Sequence, residues 1–286
     1  MKHRLCWILL AWLLTSCTAT GPAIVTPTSV APVAQDQTAV SIPSSYSDPA
    51  PPAPTSVATI GDTPQPEAAG PLHIEDGLII QAADGLGVVG TFYAPTGTGS
   101  PWPGVLLLHM LGSNRASWEP FARQLVTAGY AALAVDMRGH GDTGGARDFQ
   151  QAANDLQRVW QYLASRPDVD ARRTAVIGAS IGANMALVTA ALQPAIKTVV
   201  LLSPGLDYRG VTTGDVILDY GERSILIVAS VEDIYAADSS RQLEDLAQGE
   251  SRLIMYEGAG HGTAMFGAEP DLAGSIITWL DAQLKP

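Results

Sequence analysis

Residues 174–192 read TAVIGASIGANMALVTAAL, in which the glycines of Gly178-Ala179-Ser180-Ile181-Gly182 separate two apolar runs. The first run predicts a buried strand at Thr174–Gly178, and the second predicts a helix at Ala183–Leu192. Between a strand and a helix, Gly-x-Ser-x-Gly is typical of a nucleophile elbow, a turn so tight that the flanking residues must be small. The hydroxyl of Ser180 would then project beside the N–H groups of a helix N-terminus. An ordinary tight turn is the alternative that the motif alone leaves open.

Short apolar runs and amphipathic segments alternate along the chain from Leu72 onward. Such alternation predicts a largely parallel sheet covered by helices on both faces, a three-layer α/β/α sandwich with about eight strands. The predicted strands are 78–81, 88–93, 105–109, 131–136, 174–178, 199–202, 225–228 and 253–256. The predicted helices are 118–128, 147–165, 183–192, 238–247 and 271–284. The segment between the strands that end at 202 and begin at 225 is too short for a large lid.

A serine hydroxyl is a poor nucleophile at neutral pH unless a base takes its proton, and that base needs a group to orient it. The chain has five histidines, of which only His261 follows Ser180. His261 lies in the glycine-rich stretch Glu257–Gly262, directly after a predicted strand. A loop of this kind can bring an imidazole to the serine, so His261 is the predicted base.

The orienting acid is expected between the serine and the histidine. Asp233 follows the predicted strand Ile225–Val228, at the carboxyl end where such sheets bind their ligands. Asp207, which follows the preceding strand, is the alternative. Glu232 would point to the other side if the strand pattern continues. Asp233 is therefore the preferred acid.

Five stretches resemble the α/β-hydrolase superfamily, and residues 72–286 as a whole resemble its compact dienelactone-hydrolase-like and esterase members. This resemblance implies that Ser180 is the nucleophile, His261 the base and Asp233 the orienting acid of a serine hydrolase. It implies an ester or related acyl substrate and requires no cofactor. The stretches are Leu108-His109-Met110-Leu111-Gly112, Asp136-Met137-Arg138-Gly139-His140-Gly141, the GASIG motif, Val231-Glu232-Asp233 and Gly258-Ala259-Gly260-His261-Gly262.

The resemblance also implies an oxyanion hole made by the backbone N–H groups of Ile181 and Leu111. One residue departs from the family pattern, because Met110 follows His109 where a glycine is usual. Met110 itself is therefore the alternative second donor. The loss of one such donor costs about 2.7–4 kcal/mol of transition-state stabilisation. A catalytically inactive binding module with this fold is the alternative function that the substitution favours.

Two other groups of polar residues are expected to have structural roles or no role in chemistry. Asp136, Arg138 and His140 are interpreted as a strand end and a loop tied by charge-assisted hydrogen bonds. His109, His140 and Asp142 lack the spacing that is diagnostic of a metal site. No metal is therefore expected. Five large side chains are candidates to line an apolar pocket: Trp118, Tyr208, Tyr235, Met265 and Phe266.

The N-terminus begins MKHRLCWILLAWLLTSC, with basic residues before the apolar run Leu5–Leu14. The run is short for a bilayer span and is typical of a signal peptide, predicted at residues 1–16. Its end, Leu14-Thr15-Ser16-Cys17, resembles the lipobox of bacterial lipoproteins. This resemblance implies a lipid on Cys17 and a location at a cell membrane, outside the cytoplasm.

Residues 17–70 are rich in Pro, Thr, Ser and Ala and have few large apolar side chains, so they are predicted to be a disordered tether. Residues 71–286 are predicted to form the hydrolase domain. The 28 acidic and 16 basic residues leave a net charge of -12, which argues against a nucleic-acid partner. The only cysteines are Cys6 and Cys17, so the predicted domain has no disulfide.

Overall fold

The computed structural model describes residues 72–285. The predicted signal peptide, the predicted lipid on Cys17 and the predicted tether at 17–70 lie outside the described residues. Within the described range, none of the helices combines the length and the apolarity that a membrane span requires.

The described part of the chain has ten strands, eight of which form one sheet in the order β1–β2–β4–β3–β5–β6–β9–β10. β1 is antiparallel to β2 and β2 to β4, whereas every other neighbouring pair in this sheet is parallel. β7 and β8 form a separate two-stranded hairpin. The strands are β1 (Leu72–Gln81), β2 (Gly87–Pro95), β3 (Trp102–Leu108), β4 (Ala131–Val135), β5 (Val169–Ala179), β6 (Thr198–Leu202), β7 (Asp207–Tyr208), β8 (Val211–Thr212), β9 (Ser224–Ser230) and β10 (Ser251–Tyr256).

Helices cover both faces of the sheet. One apolar layer contains buried residues of α2, α3 and α5, and the other contains buried residues of α1 and α7. Alternate residues of β3 enter opposite layers, with Leu106 in the first and Leu107 in the second. The helices are α1 (Glu119–Thr127), α2 (Phe149–Ser165), α3 (Ile181–Leu192), α4 (Val216–Tyr220), α5 (Ile234–Leu246), α6 (Met265–Ala268) and α7 (Leu272–Leu284). The predicted three-layer α/β/α sandwich with a mostly parallel sheet is confirmed.

Several boundaries differ from the prediction. β5 begins at Val169, five residues before the predicted start at Thr174. The prediction missed these residues because the charged Asp170, Arg172 and Arg173 interrupt the apolar pattern. α3 begins at Ile181, two residues earlier than predicted, because the helix starts directly at the elbow. Between β6 and β9 the sequence analysis missed the β7–β8 hairpin and α4. These elements have two to five residues each, which is too short to show a periodicity in the sequence. Within the described residues, the segment between β6 and β9 contains no large lid, as predicted.

Candidate active site

The GASIG motif forms the tight turn between β5 and α3. Ser180 has φ 55° and ψ -123°, a sparsely populated backbone conformation that costs an L-residue about 1–3 kcal/mol. A Cβ at Gly178 would lie 2.0 Å from the carbonyl oxygen of Gly182, and a Cβ at Gly182 would lie 2.4 Å from that of Leu108. Both glycines are therefore required by the close approach of backbone to backbone, and the turn presents Ser180 at the N-terminus of α3.

His261 and Asp233 meet above the carboxyl ends of the strands. The Nδ1 of His261 donates to the Oδ2 of Asp233 at 2.5 Å. This bond assigns the proton of the neutral imidazole to Nδ1 and leaves Nε2 with a lone pair. Asp233 lies between β9 and α5, and His261 follows β10. The pair therefore has the arrangement of a base held by an orienting acid.

The alternative acid, Asp207, has a different partner. Its Oδ1 accepts a hydrogen bond from the backbone N–H of Gly210 at 2.7 Å, within the turn of the β7–β8 hairpin. Of the two candidate acids, Asp233 is the one that bonds to His261.

The loop that carries His261 is tied to the ends of two strands. The backbone N–H of Gly262 donates to the hydroxyl of Ser203 at 3.0 Å, directly after β6. The carboxylate of Glu232 accepts from the backbone N–H of Gly258 at 2.7 Å and from the hydroxyl of Ser230 at 2.8 Å. These two bonds lower the pKa of Glu232, the backbone bond being the larger cause. Glu232 therefore stabilises the start of this loop, at Gly258, and does not bond to His261.

The loop after β3 is fixed by a buried histidine. The Nδ1 of His109 donates to the carbonyl oxygen of Met110 at 2.8 Å, and its Nε2 accepts from the backbone N–H of Met137 at 3.0 Å. Burial lowers the pKa of His109 to about 4, so the ring is neutral at pH 7. Because a peptide unit is planar and trans, holding the carbonyl of Met110 also sets the direction of the N–H of Leu111.

The side chain of Met110 packs against the His261 loop. The hydroxyl of Thr263 contacts the sulfur of Met110 at 3.8 Å, and a Cβ at Gly262 would lie 2.9 Å from the same sulfur. Such a Cβ would also lie 3.4 Å from the Cβ of Ala179, the residue before Ser180. The side chain that replaces the usual glycine thus fills space between the elbow and the His261 loop.

The segment that follows β4 is held by ion pairs of Asp136 and Arg138, as predicted, whereas the Nδ1 of His140 bonds to the backbone carbonyl of Arg138 at 3.0 Å. Asp136 is fully buried and accepts from the guanidinium of Arg115 at 2.5 Å and from the backbone N–H of Asp142 at 2.8 Å. The guanidinium of Arg138 donates to Asp155 at 2.8 Å. Within residues 72–285, no group of three or more His, Cys, Asp and Glu side chains is arranged to hold a metal ion.

The five large side chains proposed for a pocket separate into different environments. Trp118 and Met265 are fully buried core residues. Phe266 stacks on Phe121 at 4.8 Å between ring centroids, at the wall of a groove of about 350 Å³ that also contacts Thr263. Tyr208 packs against Tyr235 at 5.5 Å between ring centroids, and it packs against the ring of His261 at 6.4 Å.

The sequence analysis missed Asn184, which organises the segment after β6. Asn184 is fully buried on α3; its Oδ1 accepts from the N–H of Gly205 at 3.0 Å, and its Nδ2 donates to the carbonyl of Val211 at 2.7 Å. The available signal was a single amide side chain within the otherwise apolar run of α3, because a buried amide in that position needs partners.

Comparisons with known proteins identify similar sequences and structures. Residues 99–217 match the sequence profile of the family described as serine aminopeptidase, S33. The chain is 28% identical over 217 residues to an uncharacterized protein of Mycobacterium tuberculosis (strain H37Rv), over 69% of this chain and 76% of that protein. It is 30% identical over 129 residues to the esterase FrsA of Yersinia pestis (strain Pestoides F), over 44% of this chain and 31% of that protein.

The solved structure of an acetyl xylan esterase from Paenibacillus sp. R4 is similar in fold. Its TM-score is 0.63, with 21% sequence identity, 78% of this chain covered and 87% of that chain covered. At this identity the likeness shows the fold.

Proposed function

We propose that the protein is a serine hydrolase that cleaves an ester or related acyl compound. Its fold, its match to a hydrolase family profile over residues 99–217 and its similarity to an esterase support the proposal. Ser180 is the nucleophile, His261 the general base and Asp233 the orienting acid. The observation that carries the proposal is the bond from the Nδ1 of His261 to Asp233, in a protein whose elbow holds Ser180 at φ 55°. That bond leaves the Nε2 of His261 as the only ring atom able to take a proton.

In the acylation step, the Oγ of Ser180 attacks the carbonyl carbon while the hydroxyl proton moves to the Nε2 of His261. The carbonyl π electrons move to the oxygen, which becomes an oxyanion. Asp233 stabilises the imidazolium that forms, without taking its proton. The imidazolium then protonates the leaving group as the carbon–oxygen bond breaks. Water repeats the sequence on the acyl-enzyme and regenerates Ser180.

The backbone N–H groups of Ile181 and Leu111 are the proposed oxyanion donors. Ile181 is the first residue of α3, where the helix N-terminus favours negative charge. The bond from His109 to the carbonyl of Met110 supports Leu111 over Met110 as the second donor, because it holds that peptide unit in one orientation. A donor fixed before reaction needs no reorganisation when the charge develops.

The substrate class proposed is a small to medium-sized ester. The relative FrsA and the similar structure from Paenibacillus both carry the name esterase, which supports an ester substrate, whereas the matched family profile carries the name aminopeptidase. The segment between β6 and β9 holds only a short hairpin and the five-residue α4, which supports an open site.

We also propose that the protein is a lipoprotein anchored through Cys17 at a cell membrane, outside the cytoplasm, with residues 17–70 as its tether. The support is the sequence pattern of residues 1–70. Incorporation of a radiolabelled fatty acid into the full chain, compared with a Cys17→Ala variant, tests it. Equal labelling of the two proteins contradicts the anchor.

The test of the enzyme is the hydrolysis of p-nitrophenyl acetate and butyrate by the full chain, beside Ser180→Ala. Ser165→Ala is the matched control, because the hydroxyl of Ser165 bonds only to the carbonyl of Tyr162 at the end of α2. We expect Ser180→Ala to lose at least about 10³-fold in kcat/KM and Ser165→Ala to match the wild type. Folded wild-type protein that neither turns over these esters nor reacts with a fluorophosphonate would favour the binding module.

A further inference from the structure

Ser203, which lies outside the proposed triad, has a strained backbone. Its φ is 50°, and within residues 72–285 the only other non-glycine residues with a positive φ are Ser180 and Arg209. Such conformations are costly for an L-residue, persist only where the surrounding structure determines them, and are common at functional sites. Ser203 is fully buried and directly follows β6. Its strain is therefore a reason to look for a role in the site.

The end of β6 connects the two proposed reacting residues. The carbonyl of Leu202 accepts the backbone N–H of Ser180 at 2.8 Å. The hydroxyl of Ser203 accepts the backbone N–H of Gly262, the residue after His261, at 3.0 Å. Two consecutive residues thus bind the backbone of the nucleophile and the backbone next to the base.

Ser203 is itself held in a fixed position. Its backbone N–H donates to the carbonyl of Val228 on β9 at 2.8 Å. β6 pairs with β5 on one side and with β9 on the other, and all five of its residues are buried. The bond to Gly262 therefore attaches the His261 loop to an interior strand of the sheet.

The other bonds of the loop connect it to β9. The carboxylate of Glu232 and the hydroxyl of Ser230, at the end of this strand, accept from the backbone N–H groups of Gly258 and Ala259. The imidazole bonds to an acid that also follows β9. These bonds locate the base relative to β9, whereas the bond of Ser203 locates it relative to β6 and thus to the strand that holds the nucleophile.

We propose that Ser203 is a positioning residue whose hydroxyl, by holding the N–H of Gly262, sets the distance between the base His261 and the nucleophile Ser180. The inference rests on the proposed function of those two residues. Transfer of the serine proton requires the donor and acceptor atoms to come within about 2.6–3.2 Å. A misplacement of about 1 Å can cost about 100-fold in rate. Ser203 takes no proton and acts only through the backbone next to His261.

Two substitutions separate the hydroxyl of Ser203 from the strain of its backbone. Ser203→Ala and Ser203→Gly both remove the bond to Gly262. Glycine adopts φ 50° at no steric cost, whereas alanine stays strained. A role in stability alone predicts that Ser203→Gly is the better protein in every respect, whereas the proposed role predicts that the two variants lose activity alike.

The test measures p-nitrophenyl ester hydrolysis and Tm for both variants of the full chain. We expect kcat to fall about 10- to 100-fold in both, with KM within about threefold, because the base is no longer held at a fixed distance. Ser203→Gly should melt about 2–4 °C above Ser203→Ala. Activity that follows Tm, or a kcat within twofold of the wild type in both variants, would overturn the proposal.

Ser239→Ala is the matched control. Ser239 is buried on α5, and its hydroxyl accepts the backbone N–H of Leu206 at 3.1 Å, in the same segment after β6. The substitution removes the same kind of bond but leaves the contacts of the His261 loop in place. We expect a kcat within about twofold of the wild type. A loss as large as that of Ser203→Ala would assign the effect to a displaced segment and contradict the proposal.

A double-mutant cycle with His261→Ala measures whether Ser203 acts through the base. The readout is the rate of fluorophosphonate labelling, followed by mass spectrometry over long incubation. Ser203→Ala should slow labelling about 10- to 100-fold when His261 is present and less than twofold in the His261→Ala protein, which has no base to position. Equal losses in the two backgrounds would refute the role. Wild-type turnover that Ser180→Ala abolishes would leave the proposed function standing even if Ser203 proves dispensable.

Discussion

The replacement Gly182→Ala tests how the elbow is built. Helix propensity alone predicts that alanine at this position of α3 stabilises the protein by about 1 kcal/mol. The structure predicts the opposite, because the new Cβ would lie 2.4 Å from the carbonyl oxygen of Leu108 and 2.5 Å from that of His109. Carbon and oxygen atoms in such contacts normally lie about 3.3 Å apart, so α3 and the end of β3 must separate by about 0.9 Å.

The expected stability change follows from these two opposing effects. Overpacking costs about 1–3 kcal/mol, here toward the upper end because both obstructing atoms belong to the backbone. After the gain of about 1 kcal/mol in helix propensity is subtracted from this cost, the free energy of unfolding falls by about 1–2 kcal/mol. This loss lowers Tm by about 2–8 °C for a domain of this size. A shift near 1 Å at the nucleophile lowers kcat/KM about 100-fold.

The assay combines scanning calorimetry with ester hydrolysis, and Gly274→Ala is the control. Gly274 lies on α7, where an added Cβ has no atom within 4 Å. We expect Gly274→Ala to raise the free energy of unfolding by about 0.5 kcal/mol with unchanged activity. A Gly182→Ala protein as stable as Gly274→Ala would refute the reasoning from close backbone contact.

The remaining predictions concern three charged or titrating groups. Asp233→Asn should lower kcat about 10³- to 10⁴-fold in the ester assay, because His261 loses the carboxylate that orients its imidazole. Asp207→Asn should change kcat less than about threefold. The reverse order would make Asp207 the acid. Arg138→Ala should lower the free energy of unfolding in urea by about 3 kcal/mol, because Asp155 loses the partner of its buried charge; a loss under about 1 kcal/mol would contradict this. Burial lowers the pKa of His109 to about 4, so between pH 6.5 and 4 the unfolded chain binds a proton at this ring and the folded chain does not. The free energy of unfolding should therefore fall by about 3 kcal/mol as the pH falls from 6.5 to 4. His109→Asn should remove that part of the slope, and an unchanged slope would show that another group causes it.

The parts of the fold that sequence reasoning predicted are those that local patterns determine. The eight strands of the main sheet were anticipated because each contains a continuous apolar run or an alternation of buried residues. The elbow was anticipated because its glycines and Ser180 are consecutive. The β7–β8 hairpin was missed because it consists of two-residue strands and lies in a segment that shows no periodicity.

The parts of the site that could not be predicted depend on contacts between distant segments. The sequence order allowed either Asp233 or Asp207 as the acid, and only the arrangement of the strands brings Asp233 to His261. The role of Met110 could not be read from a single substitution, because its packing against Thr263 joins residues 153 positions apart.

The central claim is that Ser180 is an activated nucleophile, and mass spectrometry of the fluorophosphonate-treated protein tests it most directly. Cleavage after Arg173 and Lys197 yields a peptide of residues 174–197 in which Ser180 is the only serine. We predict one covalent label on that serine in the wild type and at least about 10³-fold slower labelling in His261→Ala. A folded protein that stays unlabelled, or that carries the label on another serine, would contradict the assignment of Ser180.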